Sequence, residues 1–248
     1  VIDSYGNGGR AYLLEIDAHE KNIRRVVRVG SSATDLAIHH ADNRIYVTNW
    51  RGGSLLALGR GTLALERTYG FNSFSSTGYG DGDAYRIAAG GAGRLIVEEQ
   101  DQWIEFSLYD TVAGAVLTRA SVREGGGVYA AGLRYYYHGE NNSSGAALRK
   151  FDTVADTFTE IANARPASNS SYYGSRTVVI SDDGRRVFWS GTIYDANLAV
   201  VWSPGDIIYC ATADGAFAFS ETAIYEVAGQ RVVLGMPVTT KVSAFSAA

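Results

Sequence analysis

The chain has 248 residues, of which 46% are hydrophobic and 19% charged, so it can bury a large core in one large domain or two small ones. Its 22 Lys and Arg residues and 26 Asp and Glu residues give a formal net charge of −4, which argues against a surface for nucleic acid. A single cysteine excludes an internal disulfide and a metal cluster of cysteines.

Short β-strands are the dominant pattern along the chain. Runs of Val, Ile, Tyr and Phe with a period of two recur throughout, whereas no stretch combines helical spacing with capping residues. Each run follows a turn of Gly, Asn or Asp residues, such as SDDG at 181–184, that tolerates positive φ and predicts a tight hairpin. In chain order, these runs stand at 43–50, 93–100, 132–139, 184–191 and 215–222.

The runs belong to a repeat of four strands. Strands A and B flank the hairpin, strand C ends near an acidic residue, and strand D follows. Six C–D pairs but five internal A strands are present, and 240–248 has the pattern of the missing A strand. We therefore predict a single all-β domain, a six-bladed β-propeller of four-stranded antiparallel blades, closed by pairing of the C-terminal strand with the N-terminal blade. The predicted blades are 240–248 with 1–30, 33–71, 83–122, 126–164, 175–205 and 206–239.

One blade carries a specific motif. Residues 46–49 read YVTN, and the stretch 10–49 resembles the YVTN-type β-propeller repeat of bacterial and archaeal surface-layer and secreted proteins. The turns in 181–188 and 212–219 are similar to its Ser-Pro-Asp-Gly hairpin without the proline. The resemblance implies the propeller fold and an extracellular, cell-surface or periplasmic location. It implies no particular activity, because propellers host many functions.

The long connections predict a binding rim. In an up-and-down blade the B–C and D–A connections share one rim, and the long irregular segments 70–84, 138–145 and 163–175 are all of these kinds. Exposed Trp and Tyr side chains beside amides can stack on sugar rings or hold a peptide. The candidate binding residues on this rim are Asn49, Trp50, Arg51, Tyr79, Asn141, Asn142, Tyr172 and Tyr173.

Two groups of acidic residues could carry other chemistry. Asp81 and Asp83 flank a glycine and could bind Ca²⁺, although a full calcium loop needs more ligands and an Asp-Gly turn is the alternative. No other cofactor is predicted. Glu98 and its neighbour Glu99 should point to opposite faces of a strand, and their simplest interpretation is solvated turn charges. An enzyme would use Glu98, Glu140 or His138 at the axial mouth of the same rim.

These patterns favour a non-catalytic binding module that presents the long-loop rim to a protein or a carbohydrate. The alternatives are a hydrolase or lyase at the same rim, with or without a cation, and a structural spacer in a larger surface protein. We expect no nucleic-acid partner and no membrane insertion, since no run approaches the roughly 18 apolar residues of a span. We expect a monomer or a part of a longer chain. A start without methionine, inside a strand pattern, suggests a mature or excised piece of something longer.

Overall fold

The structure is a computed structural model that describes residues 2–3, 10–50, 53–71, 84–99, 106–120, 122–123, 125–141, 146–165 and 177–236. The chain forms two compact units, Val1–Glu124 and Gly125–Ala248. Within the described ranges there are 23 β-strands, a 3₁₀ turn at Val154–Asp156 and no α-helix, so the all-β prediction is confirmed. None of the described residues form a helix that could cross a membrane.

Unit 1 contains three antiparallel sheets, in which each strand pairs with its neighbours along the chain. The strand predicted from 240–248 to complete the N-terminal blade lies outside the described residues. Sheet I comprises β1 (Ile2–Asp3), β2 (Tyr12–Asp17) and β3 (Asn22–Arg28). Sheet II comprises β4 (Ala33–His39), β5 (Arg44–Asn49), β6 (Ser54–Gly59) and β7 (Leu65–Gly70). Sheet III comprises β8 (Ala84–Ala89), β9 (Arg94–Glu99), β10 (Phe106–Asp110) and β11 (Ala115–Ala120).

Unit 2 contains three further antiparallel sheets with four strands each, so the prediction of four-stranded antiparallel sheets is confirmed for sheets II to VI. Closure into a ring stays a prediction. Sheet IV comprises β12 (Gly125–Tyr129), β13 (Tyr135–Glu140), β14 (Leu148–Asp152) and β15 (Thr159–Ala164). Sheet V comprises β16 (Val178–Ile180), β17 (Arg186–Trp189), β18 (Thr192–Asp195) and β19 (Val200–Trp202). Sheet VI comprises β20 (Cys210–Ala211), β21 (Phe217–Phe219), β22 (Ala223–Glu226) and β23 (Arg231–Gly235).

The second strand of sheets II to V is buried on both of its faces. In β5, Ile45 and Val47 pack in an apolar core shared by sheets I and II, whereas Tyr46 between them packs in the core shared by sheets II and III. Successive side chains of a strand point to opposite faces, so one strand serves two cores. In unit 2, Trp189 and Phe188 of β17 divide in the same way between the cores of sheets IV and V and of sheets V and VI.

The acidic residue at the end of strand C has a local structural role. The carboxylate of Asp110 accepts hydrogen bonds from the backbone N–H groups of Val112 (2.7 Å) and Ala113 (3.0 Å). Such bonds close the turn to the following strand, because an Asp side chain can replace a backbone acceptor two or three residues along. The same type of turn follows β2, β14 and β18, with carboxylates from Asp17, Asp152 and Asp195.

The hairpin turns also follow the prediction. Asn43, Gly93, Gly184 and Gly215 all have positive φ at the turn before the second strand of their sheets. Cys210 is half-buried and forms no disulfide. Its strand, β20, has two residues and begins a sheet, which leaves the side chain less covered than a middle strand would.

We predict that Gly139→Ala destabilises the protein by about 1–3 kcal/mol through overpacking. A Cβ at Gly139 of β13 would overlap the buried indole of Trp189 and lie 2.8 Å from Cγ2 of Val178. Urea unfolding measures the free energy. The matched control is Gly235→Ala in β23, where a Cβ meets no atom within 4 Å. Equal free energies of unfolding for the two variants would contradict the packing argument.

Candidate functional site

Polar and aromatic side chains gather at one edge of unit 1, where β4 and β8 begin and β5 and β9 end. Antiparallel pairing brings these ends together, since Ala33 pairs with Asn49 and Ala84 pairs with Glu99. The group contains three residues that the sequence singled out, namely Asn49, Trp50 and Glu98. We call it the strand-end site and define it as Thr34, Asp35, Thr48, Asn49, Trp50, Tyr85, Arg86 and Glu98.

Two irregularities of the backbone shape the strand-end site. The register between β4 and β5 shifts between Ala33 and Leu36, and that between β8 and β9 shifts between Ala84 and Arg86. Bulges of this kind bend a strand and redirect side chains, and they are common beside binding sites. Here they redirect the residues that lie within the shifts, Asp35 in sheet II and Tyr85 in sheet III.

Hydroxyl groups join sheets II and III at this edge. The Oγ1 atoms of Thr34 and Thr48 lie 2.9 Å apart, and the Thr34 hydroxyl donates a hydrogen bond of 2.7 Å to the backbone oxygen of Tyr85. The N–H of Asp35 donates to Thr48 Oγ1 at 2.9 Å. Partly buried hydrogen bonds of this kind hold side chains in a single arrangement, so the site is preorganised by its own backbone.

Asp35 has an unusual electrostatic environment. Burial raises the pKa of its carboxyl group to about 6, although 27% of the side chain stays exposed. Arg86 Nη1, 4.0 Å from the carboxylate, acts in the opposite direction, as do the N–H groups of Ile87 and Leu36, each 3.0 Å away. The negative charge of Glu98 raises the pKa further. Asp35 therefore exchanges a proton near neutral pH, which is a common property of functional carboxyl groups.

Trp50 and Tyr85 form an aromatic pair beside Asp35. Their ring centroids are 5.7 Å apart with an interplanar angle of 81°, an edge-to-face geometry that aromatic rings favour. Both side chains are half-buried. The guanidinium carbon of Arg86 lies 5.7 Å from the Tyr85 centroid, within the range of a cation–π contact. The strand-end site thus offers aromatic surface, a cation and a titratable carboxyl group together.

No family model matches the chain, and no curated protein matches it either. Among solved structures, it is similar to the hydrazine synthase of Kuenenia stuttgartiensis, with a TM-score of 0.49 and 11% sequence identity over 96% of this chain and 95% of that chain. The functional argument therefore rests on the residues of this chain.

Asn49 forms hydrogen bonds that support the strand-end site. Its Nδ2 donates to Ser54 Oγ at 3.2 Å, and its Oδ1 accepts from the N–H of Ser32 at 3.4 Å. Both atoms of the amide are therefore engaged within unit 1. Asn49 therefore helps to position the backbone next to Trp50, and the binding role predicted for it stays a prediction.

Glu98 and Glu99 end β9, and the interpretation of them as solvated turn charges was wrong. Only 2% of Glu98 and 4% of Glu99 is exposed. Opposing Glu98 in the ladder is Arg86, whereas Glu99 opposes Ala84. Sequence reasoning underestimated their burial because β9, like β5, is a second strand that is covered on both faces.

Glu140 and His138 lie in β13 of unit 2, and both are buried. The carboxylate of Glu140 accepts hydrogen bonds of 2.9 Å from Arg149 Nε and from the N–H of Ala147. Arg149 also donates to Glu160 at 2.8 Å, so Glu140 belongs to an internal ion-pair network. This arrangement gives Glu140 a structural role, and its use as a general acid or base stays a prediction. Asn141 follows β13 and is half-buried.

Several predicted residues cannot be placed. Arg51, Tyr79, Asp81, Asp83, Asn142, Tyr172 and Tyr173 lie outside the described residues. Within the ranges that the structure does describe, no three His, Cys, Asp or Glu side chains come together as a possible metal site. Sequence reasoning missed Asp35, Tyr85 and Arg86. The sequence places these residues at the start of a first strand, but it does not show the bulges that bring them together.

We predict that Asp35 makes folding stability depend on pH between about 4 and 7. Because its pKa rises from 3.8 to about 6 on folding, its contribution is fully present below pH 3.8 and is lost as the pH rises through 6. Between about pH 4 and 7, the free energy of unfolding of the wild type should fall by about 1–3 kcal/mol relative to that of Asp35→Asn. Urea unfolding at several pH values measures the difference.

Asp206 provides a control, because its contribution to folding stability should depend on pH in the opposite direction. Burial raises the pKa of Asp206, but hydroxyl groups of Thr222, Tyr225 and Ser220 bind its carboxylate and leave the pKa lowered overall. Its contribution is present above pH 3.8 and is lost as the pH falls. If the free energy of unfolding changed with pH in the same way in the wild type and in Asp35→Asn, this result would contradict the raised pKa of Asp35.

Proposed function

We propose that the chain is a binding module, built as a six-bladed β-propeller, that holds a glycan or a protein segment at the strand-end site. The repeat count and the four-stranded sheets support the propeller. The extracellular or periplasmic location that we propose rests on the resemblance of residues 10–49 to secreted YVTN-type repeats. The binding role rests on the site itself.

The observation that carries the proposal is the pair of Trp50 and Tyr85. Aromatic side chains at binding sites provide a large contact area at low conformational cost when neighbouring groups already fix their rotamers. Tyr85 is fixed by the bulge in β8 and by the bond between its backbone oxygen and Thr34, and its ring holds the edge contact with Trp50. A half-buried, preorganised pair of this kind favours stacking on a planar or apolar ligand face.

Polar groups around the aromatic pair would determine the orientation of a bound ligand. Arg86 can donate hydrogen bonds to a ligand oxygen, and Asp35 can accept them from hydroxyl or amide groups. Such a mixture of aromatic surface and convergent polar groups suits the alternating apolar faces and hydroxyl groups of a sugar. It also suits a peptide segment, which is why both ligand classes belong in the first screen.

A second candidate function is a hydrolase or lyase that uses Asp35. A carboxyl group with a pKa near 6 can donate and accept a proton near neutral pH, as a general acid must. Glu98 lies close enough to influence that pKa and would be the second carboxylate. Glu140, which the sequence offered for this role, is engaged by Arg149 instead. Release of product from a bound glycan, lost in Asp35→Asn, would favour this candidate.

We predict that Trp50→Ala weakens ligand binding by about 10-fold or more, the usual cost of removing a central aromatic anchor. Glycan and peptide arrays first identify ligands of the wild-type protein, and titration then gives the affinity of each variant. The matched control is Trp202→Ala, which removes an equivalent half-buried indole that packs edge-on to Tyr225 at 5.5 Å in unit 2.

Circular dichroism of both variants tests for folding. Loss of binding in Trp50→Ala with retention in Trp202→Ala supports the proposal. Equal losses in both folded variants would contradict the assignment to the strand-end site. If neither array yields a ligand, the structural-spacer interpretation would replace it.

A further inference from the structure

A cavity in unit 1 lies between sheet I and sheet II. Strands β2 and β3 form one wall, and the other wall comes from β4, β5 and the turn between β6 and β7. The volume is about 240 Å³, which holds roughly eight heavy atoms if each takes the volume of one water molecule in the liquid. None of the lining residues belongs to the strand-end site, so the inference does not depend on the proposed function.

The walls of the cavity are aliphatic and accessible. Six of the nine lining residues are Leu or Ile. Leu14 and Leu36 are half-buried, and 45% of Ile38 is exposed. In the first strands of sheets II to VI, as far as these strands are described, no other large apolar residue is exposed to this extent. A ligand that covers this surface removes apolar area from water, which favours binding.

Arg25 joins the two walls of the cavity. Its Nη1 donates a hydrogen bond of 2.8 Å to the backbone oxygen of Gly61, in the turn between β6 and β7. Its Nε donates to the carboxylate of Glu15, so the charges of these two lining residues compensate each other. The walls are therefore held together before any ligand enters, which lowers the cost of ordering them on binding.

Arg60 contributes a positive charge that lacks such compensation. Its Nη1 donates to Nδ1 of His40 at 3.0 Å, and a ring nitrogen that accepts a hydrogen bond carries no proton and no negative charge. No carboxylate among the described residues forms an ion pair with Arg60. The side chain is exposed and lines the cavity. Its planar fork of N–H donors matches the geometry of a carboxylate.

We propose that the cavity binds a short aliphatic carboxylate. The alkyl chain packs against Leu14, Leu36 and Ile38, and the carboxylate accepts hydrogen bonds from Arg60. The charge of Arg60 selects an anion over a neutral or cationic ligand of the same shape. The aliphatic lining selects an alkyl chain over a polar anion, which would leave the exposed apolar surface in contact with water.

The first test uses hexanoate as the probe, with butanoate and hexan-1-ol as partial analogues. Saturation-transfer NMR on the whole chain detects binding, and titration gives the affinity. We expect hexanoate to bind about 10-fold more tightly than hexan-1-ol, because only the acid forms charge-assisted hydrogen bonds. Each methylene between butanoate and hexanoate should strengthen binding by about 4-fold where it is fully buried. Equal affinities for the acid and the alcohol would overturn the carboxylate assignment.

Two variants locate the charge and the apolar wall. Arg60→Met keeps an unbranched apolar side chain and removes the charge, so hexanoate should bind about 10-fold more weakly. The matched control is Arg28→Met, which removes an exposed arginine of β3 that does not line the cavity. Ile38→Thr keeps the branched shape but removes apolar surface, with an expected loss of about 4-fold. Its control is Ile23→Thr, also in β3, where 56% of the side chain is exposed outside the cavity.

Circular dichroism confirms that all four variants fold. Weaker binding of hexanoate in Arg60→Met and in Ile38→Thr, with both controls unchanged, supports the proposal. Wild-type affinity in either cavity variant, or an equal loss in a cavity variant and its control, would overturn it. So would the absence of saturation of the wild type at about 10 mM hexanoate, a concentration well above a millimolar Kd.

Discussion

Two-sided burial of the second strand in sheets II to V is the constraint on which the rest of this structure depends. A sheet with one solvated face needs an apolar residue at every second position, but a strand between two cores needs apolar residues at nearly every position. Val47 and Tyr46 illustrate the result, because they are adjacent in sequence and pack in different cores. The same constraint draws Glu98 and Glu99 into the interior, and it leaves connections and strand ends as the places where polar function can be located.

This constraint explains how much of the fold could be predicted from the sequence. Near-continuous runs such as 43–50 and 184–191 mark the second strands, and turn residues with positive φ, such as Asn43 and Gly184, mark the hairpins before them. The all-β class and the four-stranded antiparallel sheets follow from these local signals. The six-membered closure is a long-range pairing of chain ends, which no local pattern determines, and it stays a prediction.

The candidate site was less predictable, for physical reasons. Trp50 and Glu98 could be singled out because they end strands, but Asp35 and Tyr85 owe their positions to bulges, and a bulge changes register without a distinctive residue type. The pKa of Asp35 depends on burial and on charges from another sheet, and neither is visible in its own neighbourhood of the sequence. Glu140 is a further case, since its residue type suggested chemistry but its ion pair with Arg149 was not visible in the sequence.

The aspartate turns after β2, β10, β14 and β18 have a consequence for how such a chain can evolve. Each turn is closed by bonds between residues at most four positions apart, so the third and fourth strands keep their alignment whatever happens at the opposite end of the sheet. When a connection at that opposite end is lengthened, the entropic cost of closing the loop rises only slowly with its length. Insertions and new recognition sequences can therefore accumulate at one end of the sheets, while the aspartate turns preserve the strand alignment at the other end.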